Sequence, residues 1–168
     1  MDIIEIVKDE FHKRMILEGL DRIERCLEKI EDDEIWRKPN KNSNSIGNLI
    51  LHLSGNVRQY VISGIGDETD TRERDREFEI ESRIERKALL AKIKKTVMEA
   101  NSVVLGLSQS DLTEKRSAQG YENTILSILI HVIEHFSYHV GQISYYTKLL
   151  KDCDMGYYAG EDLNKKSK

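Results

Sequence analysis

The chain is expected to be all-α, a bundle of four long helices in a single 168-residue unit. Three observations predict this. Apolar residues recur at three- and four-residue spacing through four long segments. One proline and ten glycines leave too few turn residues for a sandwich or barrel of many short strands. A content of 39% hydrophobic and 33% charged residues suits packed helices with solvated outer faces. The length fits one domain with a sizeable core. We place that domain at 1–155 and a polar tail at 156–168, whose last residues, Asn-Lys-Lys-Ser-Lys, are expected to move freely.

The first helix is predicted over about residues 2–31. Ile4, Val7 and Phe11 begin its apolar stripe; Ile16, Leu20, Ile23, Leu27 and Ile30 continue it after a phase slip near Met15. Trp36 and the run from Lys38 to Asn44 make a polar connection. Ser45 is a good N-cap for a second helix reaching about Ser63, with Ile46, Leu49, Ile50, Leu53, Val57, Tyr60 and Val61 on its apolar side. Glycine costs about 1 kcal/mol inside a helix, so Gly47 and Gly55, on one face, imply close approach of a neighbouring helix.

Residues 64–81 read as a loop of alternating charges. Such a segment is ordinarily solvated and self-paired; its length also suits a lid over a pocket, anchored by Phe78. The third helix is expected to start at Ser82, with Glu85 completing a capping box. Leu90, Ile93, Val97, Ala100, Val104 and Leu107 then alternate three- and four-residue steps, which predicts shallow-angle packing. A polar connection from Ser108 to Asn123 leads to a fourth helix over about residues 124–150. Its first half is apolar nearly all round, so it is expected to be the most buried element.

Charge and cysteine usage narrow the function classes. A net charge of −4 and no cluster of Lys or Arg with aromatics give no reason for a nucleic-acid partner. Apolar runs such as Ile128-Leu129-Ile130 are far too short to cross a membrane. Cys26 and Cys153 are far apart and lack CxxC spacing, and the first residues carry no basic, cleavable leader. A reduced, cytoplasmic protein is expected.

The chemical signal is in the histidines. His131, His135 and His139 stand four residues apart, a spacing that projects all three from one helical face. His131 and His139 are about 12 Å apart along the axis, so one ion takes an adjacent pair, 131/135 or 135/139, and spacing alone leaves the choice even. Gly141 and Gln142 tilt it slightly toward 135/139, because a glycine one turn from His139 leaves room for the second helix. His52, beside that helix's apolar stripe, is then the natural third ligand. His12 is expected at the surface. Three neutral imidazoles leave a fourth position for water or a thiolate, the arrangement of catalytic rather than structural zinc. Nickel, iron or manganese would also accept them. Because ligation needs neutral rings, affinity is expected to fall as pH drops through about 6.5. Glu134 points away from His135 and is expected to be exposed.

With these residues in view, the chain resembles the DinB/YfiT-like superfamily of four-helix-bundle metalloproteins. The likeness is carried by Asn44-Ser45-Ile46-Gly47-Asn48-Leu49-Ile50-Leu51-His52-Leu53-Ser54-Gly55-Asn56 and by His135-Phe136-Ser137-Tyr138-His139-Val140-Gly141-Gln142-Ile143. Arg74-Asp75-Arg76-Glu77-Phe78-Glu79 looks like the charged motif of an uncharacterised branch of that superfamily. The resemblance implies an up-down-down-up bundle, commonly a homodimer, with long connections between helices two and three and between helices three and four. It implies a divalent ion, zinc or nickel before iron or manganese, on His52, His135 and His139, with His131 outside. It further implies a thiol-dependent S-transferase or a hydrolase acting on a small electrophile, with a low-molecular-weight thiol as partner. Arg58, Asn48 and the Arg72–Glu79 loop are candidates for substrate contacts. The rival expectation is a non-catalytic dimeric bundle, a stress-related binding module, with a structural metal or none.

Overall fold

The computed structural model describes residues 2–79 and 83–166. Four helical rods pack side by side. The first combines α1 (Ile3–His12), a π-helical stretch Lys13–Leu20 and α2 (Asp21–Lys29). The wider π turn explains the phase slip: it rotates the stripe so that Phe11, Met15, Leu20, Ile23 and Leu27 all reach the core.

The second rod is α3 (Ile46–Val57) followed by a π-helical stretch Arg58–Ser63. Ser45 caps α3 as expected. Its hydroxyl accepts from the Asn48 amide, and the Asn48 side chain reaches back to the Ser45 amide, so two orphan donors are satisfied reciprocally. The third rod, α4 (Arg86–Leu105), begins after Glu85; the expected start at Ser82 lies outside the described residues. Leu89 rather than Leu90 opens its buried stripe, and Ile93, Val97, Ala100 and Val104 continue it, while Leu107 follows the helix and is half-buried.

The connection before the last rod is more ordered than its polar composition suggested. β1 (Lys115–Ala118) and β2 (Tyr121–Thr124) form an antiparallel hairpin, Lys115 opposite Thr124 and Ala118 opposite Tyr121. Its two-residue turn places Gln119 and Gly120 at φ 52° and 80°, the pair of positive values that a type I′ turn requires. The Tyr60 hydroxyl donates to Gln119 Oε1 at 2.8 Å and ties the turn to the second rod.

The fourth rod is α5 (Ile125–Lys151), N-capped by Thr124. It is not the most buried element. Eleven of the twelve residues of α3 are buried, whereas Ile130, Tyr138, Tyr145 and Leu149 of α5 are 58–71% exposed. The apolar surround of α5 therefore serves one inner face and leaves an outer apolar stripe. Beyond it the chain folds back: Tyr157 exchanges hydrogen bonds with Ser144 Oγ (2.8 Å) and Cys26 Sγ (3.4 Å), joining α2, α5 and the tail. Cys26 and Cys153 are free thiols. Among the described residues, no helix is long and apolar enough to cross a membrane.

Candidate metal centre

α3 and α5 pack together, and each contributes imidazoles to their shared seam. His52, buried on α3, places Nε2 3.2 Å from Nε2 of His135 on α5. One turn further along α5, the His139 ring centroid lies 4.6 Å from that of His135 and 5.0 Å from that of His52. Each residue offers one ring nitrogen such that all three atoms lie within 4.8 Å of one another. Two nitrogens bound tetrahedrally to one zinc at about 2.0–2.1 Å would be about 3.3–3.4 Å apart. The His52–His135 spacing is already that of a ligand pair.

Two of the rings, His135 and His139, are biased toward the neutral form. Burial, then His139, His52, His131 and the Arg72 guanidinium, push His135 down to about 3 from 6.5. Burial also lowers His139, against a hydrogen bond to the Gln142 amide oxygen that favours its charged form. Protons therefore compete at these two rings only at more acid pH than the unperturbed value of 6.5 suggested. The Nδ1 atoms differ in their partners. His139 Nδ1 lies 2.7 Å from Gln142 Oε1 on the same helix, and His52 Nδ1 lies 2.8 Å from Glu77 Oε2. Buried His135 Nδ1 has no partner among the described residues.

The spacing of the α5 histidines left the adjacent pair open; the fold brings 135/139 to His52. His131 sits one turn away, its ring 5.6 Å from that of His135 and 4.8 Å from that of Tyr60. It lines a separate cleft of about 260 Å³ with Tyr60, Tyr121, Asn123, Ser127 and Ile128. His12 is half-buried on α1 and Glu134 is exposed.

Three glycines have surroundings other than those expected. Gly141 faces open space, with nothing within 4 Å of a Cβ added there, so it makes no room for α3. Gly47 lies against the Trp36 ring, and Gly55 lies against the carboxylate of Glu77 and the guanidinium of Arg72. A connecting segment, rather than a neighbouring helix, uses the space at Gly55.

That segment is the charged one. Through a short 3-10 turn, Arg74–Phe78, it lays Glu77 and Phe78 over α3. The Phe78 ring stands 5.3 Å from His52. Glu77 is buried, a role hidden in a sequence where it is one acid among many. Burial alone would raise its carboxyl, but the hydrogen bond to His52 and the Arg72 guanidinium hold it below its usual range. Arg72 donates from Nε to Oε1 (2.7 Å) and from Nη2 to Oε2 (2.9 Å), and from Nη1 to Gln59 Oε1 (2.8 Å). Asn48, a candidate for substrate contact, instead donates from Nδ2 to the Glu77 carbonyl at 2.9 Å. Arg58 faces Glu99 across a groove on the α4 side.

The four-rod bundle is the fold of DinB-like proteins of known structure. The comparisons with solved structures agree. A DinB-like protein from Bacillus cereus ATCC 10987 matches with a TM-score of 0.63 and 14% identity, over 82% of this chain and 88% of that one. A DinB-like protein from Bacillus subtilis, YjoA, matches at 0.60 and 19%, over 81% and 88%. The chain belongs to the family described as "Protein of unknown function (DUF1572)", whose profile matches residues 5–158. No curated protein gives a significant match.

Proposed function

We propose that this protein is a metal-dependent enzyme, holding one divalent ion on His52, His135 and His139 and catalysing thiol-dependent S-transfer to, or hydrolysis of, a small electrophile. The observation that carries the reading is the convergence of three ring nitrogens from two helices within 4.8 Å. Neutral imidazoles suit zinc and nickel, and accept iron and manganese. Such an ion with a vacant position supplies Lewis acidity and lowers the pKa of a water or thiol that reaches it.

The chain's own residues define the rest. His52 is buried, whereas His135 and His139 are half-buried, so a small molecule reaches the cluster from the α5 side. The Phe78 ring beside His52 gives an apolar wall that limits water. The His131 cleft adjoins through the His131–His135 ring contact and offers hydroxyl and amide groups for the body of a substrate. The reading includes a cytoplasmic setting, which the two free thiols suit. It also includes a homodimer, supported by the exposed stripe Ile130, Tyr138, Tyr145 and Leu149.

Elemental analysis of protein purified without a histidine tag tests the metal. A single ion per chain, lost in His135→Ala while helicity persists, is the expected result; no ion under several loading conditions overturns the reading. Following consumption of several low-molecular-weight thiols with chlorodinitrobenzene tests the reaction. Turnover that requires the ion supports the transferase; a loaded protein inert across thiols and hydrolysable esters is instead a metal-bearing binding module.

A further inference from the structure

We propose that Glu77, clamped by Arg72, is a positioning residue that sets the tautomer of His52 and couples docking of the strap at residues 70–78 to metal binding. The inference rests on the metal reading above and concerns groups outside the three histidines.

The geometry leads there by elimination. The Glu77 carboxylate accepts two hydrogen bonds from Arg72, at 2.7 and 2.9 Å, and so faces it as an ionised, acceptor-only group. A 2.8 Å contact between such a group and His52 Nδ1 holds only when Nδ1 carries the proton. Arg72 Nη2 is also 3.3 Å from Nδ1, a longer approach by a group already committed to Glu77 Oε2. With Nδ1 protonated, the lone pair of His52 is on Nε2, the atom 3.2 Å from His135 Nε2. A carboxylate behind a ligating imidazole fixes ring orientation and raises ligand basicity.

The clamp is built into the chain rather than formed by chance contact between surface charges. The side chains of Arg72 and Glu77 are 4% and 9% exposed. The Glu77 carbonyl is held by Asn48, the residue that also closes the α3 capping box. Asp70 accepts from the Arg72 amide (3.0 Å) and from Gln59 Nε2 (2.8 Å), and Gln59 accepts from Arg72 in turn. Gly55 gives the carboxylate its seat, since a Cβ there would overlap Glu77 Oε1. Among the described residues His135 and His139 have no equivalent: one Nδ1 has no partner and the other meets an amide on its own helix. Linkage then acts in both directions, so an ion that binds better with the strap docked must hold the strap down by the same factor.

The test uses full-length protein and Zn²⁺ itself, in competition with a chromophoric chelator. Glu77→Ala is expected to weaken Zn²⁺ binding about 10–100-fold. Glu77→Gln, whose amide oxygen still accepts from Nδ1–H, should retain more affinity than Glu77→Ala. Glu73→Gln, an equal change of charge at an exposed strap residue, should bind as wild type. In metal-free protein, ¹⁵N imidazole spectra should show His52 as the Nδ1–H tautomer in wild type and Glu77→Gln, and as a mixture in Glu77→Ala. Zn²⁺ should slow amide exchange at residues 70–78 in wild type and not in Glu77→Ala. A folded Glu77→Ala protein with wild-type affinity and an unchanged tautomer overturns the proposal. Wild-type protein that takes up no Zn²⁺ overturns the metal reading; the tautomer spectra, recorded without metal, then decide the Glu77 role separately.

Discussion

The two helices that supply the imidazoles are built on opposite plans. α3 is buried on nearly every side, carries one histidine, and is backed by a carboxylate and a guanidinium. α5 carries three histidines along a half-exposed edge, with an outer stripe of Ile130, Tyr138, Tyr145 and Leu149. Packing and polar contacts fix the α3 side before any ligand arrives; the α5 side keeps its rings accessible. Rigidity on one wall and access on the other suit the centre we propose, which would hold an ion and still admit a substrate.

The sharpest break in this comparison is removal of a ring. His135→Ala and His52→Ala should each abolish stoichiometric metal uptake, whereas His131→Ala should leave it intact. Equal loss of metal in all three variants, measured with circular dichroism as a fold control, would contradict the 135/139 pairing.

The next largest effect is at the glycines. Gly55→Ala forces a methyl into the Glu77 carboxylate and should destabilise the protein by about 1–3 kcal/mol, the usual cost of overpacking. Gly141→Ala, on the open face of α5, removes a flexible residue from a helix and should stabilise by about 0.5–1 kcal/mol. Chemical denaturation of both variants checks the opposite signs; a shared sign would mean the two helix faces are not as different as their neighbours indicate.

Acidification separates the walls more gently. In metal-free protein His135 titrates near 3, while in the unfolded chain it titrates near 6.5. Between those values the unfolded chain binds the extra proton, so this contribution to stability is complete above pH 6.5 and is lost as pH falls toward 3. Glu77, held below its usual value of 4.5, adds a second loss at the acid end of the range. The melting temperature should therefore fall between pH 7 and pH 5, and His135→Gln should flatten that slope. An unchanged slope in the variant would remove His135 as its source.

The smallest effect is expected at Glu134, adjacent to a ligand in sequence but exposed. Glu134→Gln should change stability by less than about 0.5 kcal/mol and leave metal uptake unaltered. A clear loss of affinity would show that α5 has a carboxylate partner of its own.

Sequence alone carried the number of rods, the Ser45 cap, most of the core stripes and the phase slip near Met15. All of these are local: periodicity, capping chemistry and turn composition act over a few residues, within reach of a single-chain reading. The α5 histidines were visible for the same reason. What only tertiary structure decided lies between elements. Spacing placed either adjacent pair on one face equally well, and the crossing of α3 over α5 selected His135 and His139. Glu77 looked like any other acid in a run of alternating charge, and Gly55 like a helix–helix contact, until the chain folded back over α3. Buriedness of α5 was overestimated because apolar periodicity reports that a face avoids water and not which partner covers it. Long-range placement depends on where rods and straps dock, and no short window of sequence encodes that position.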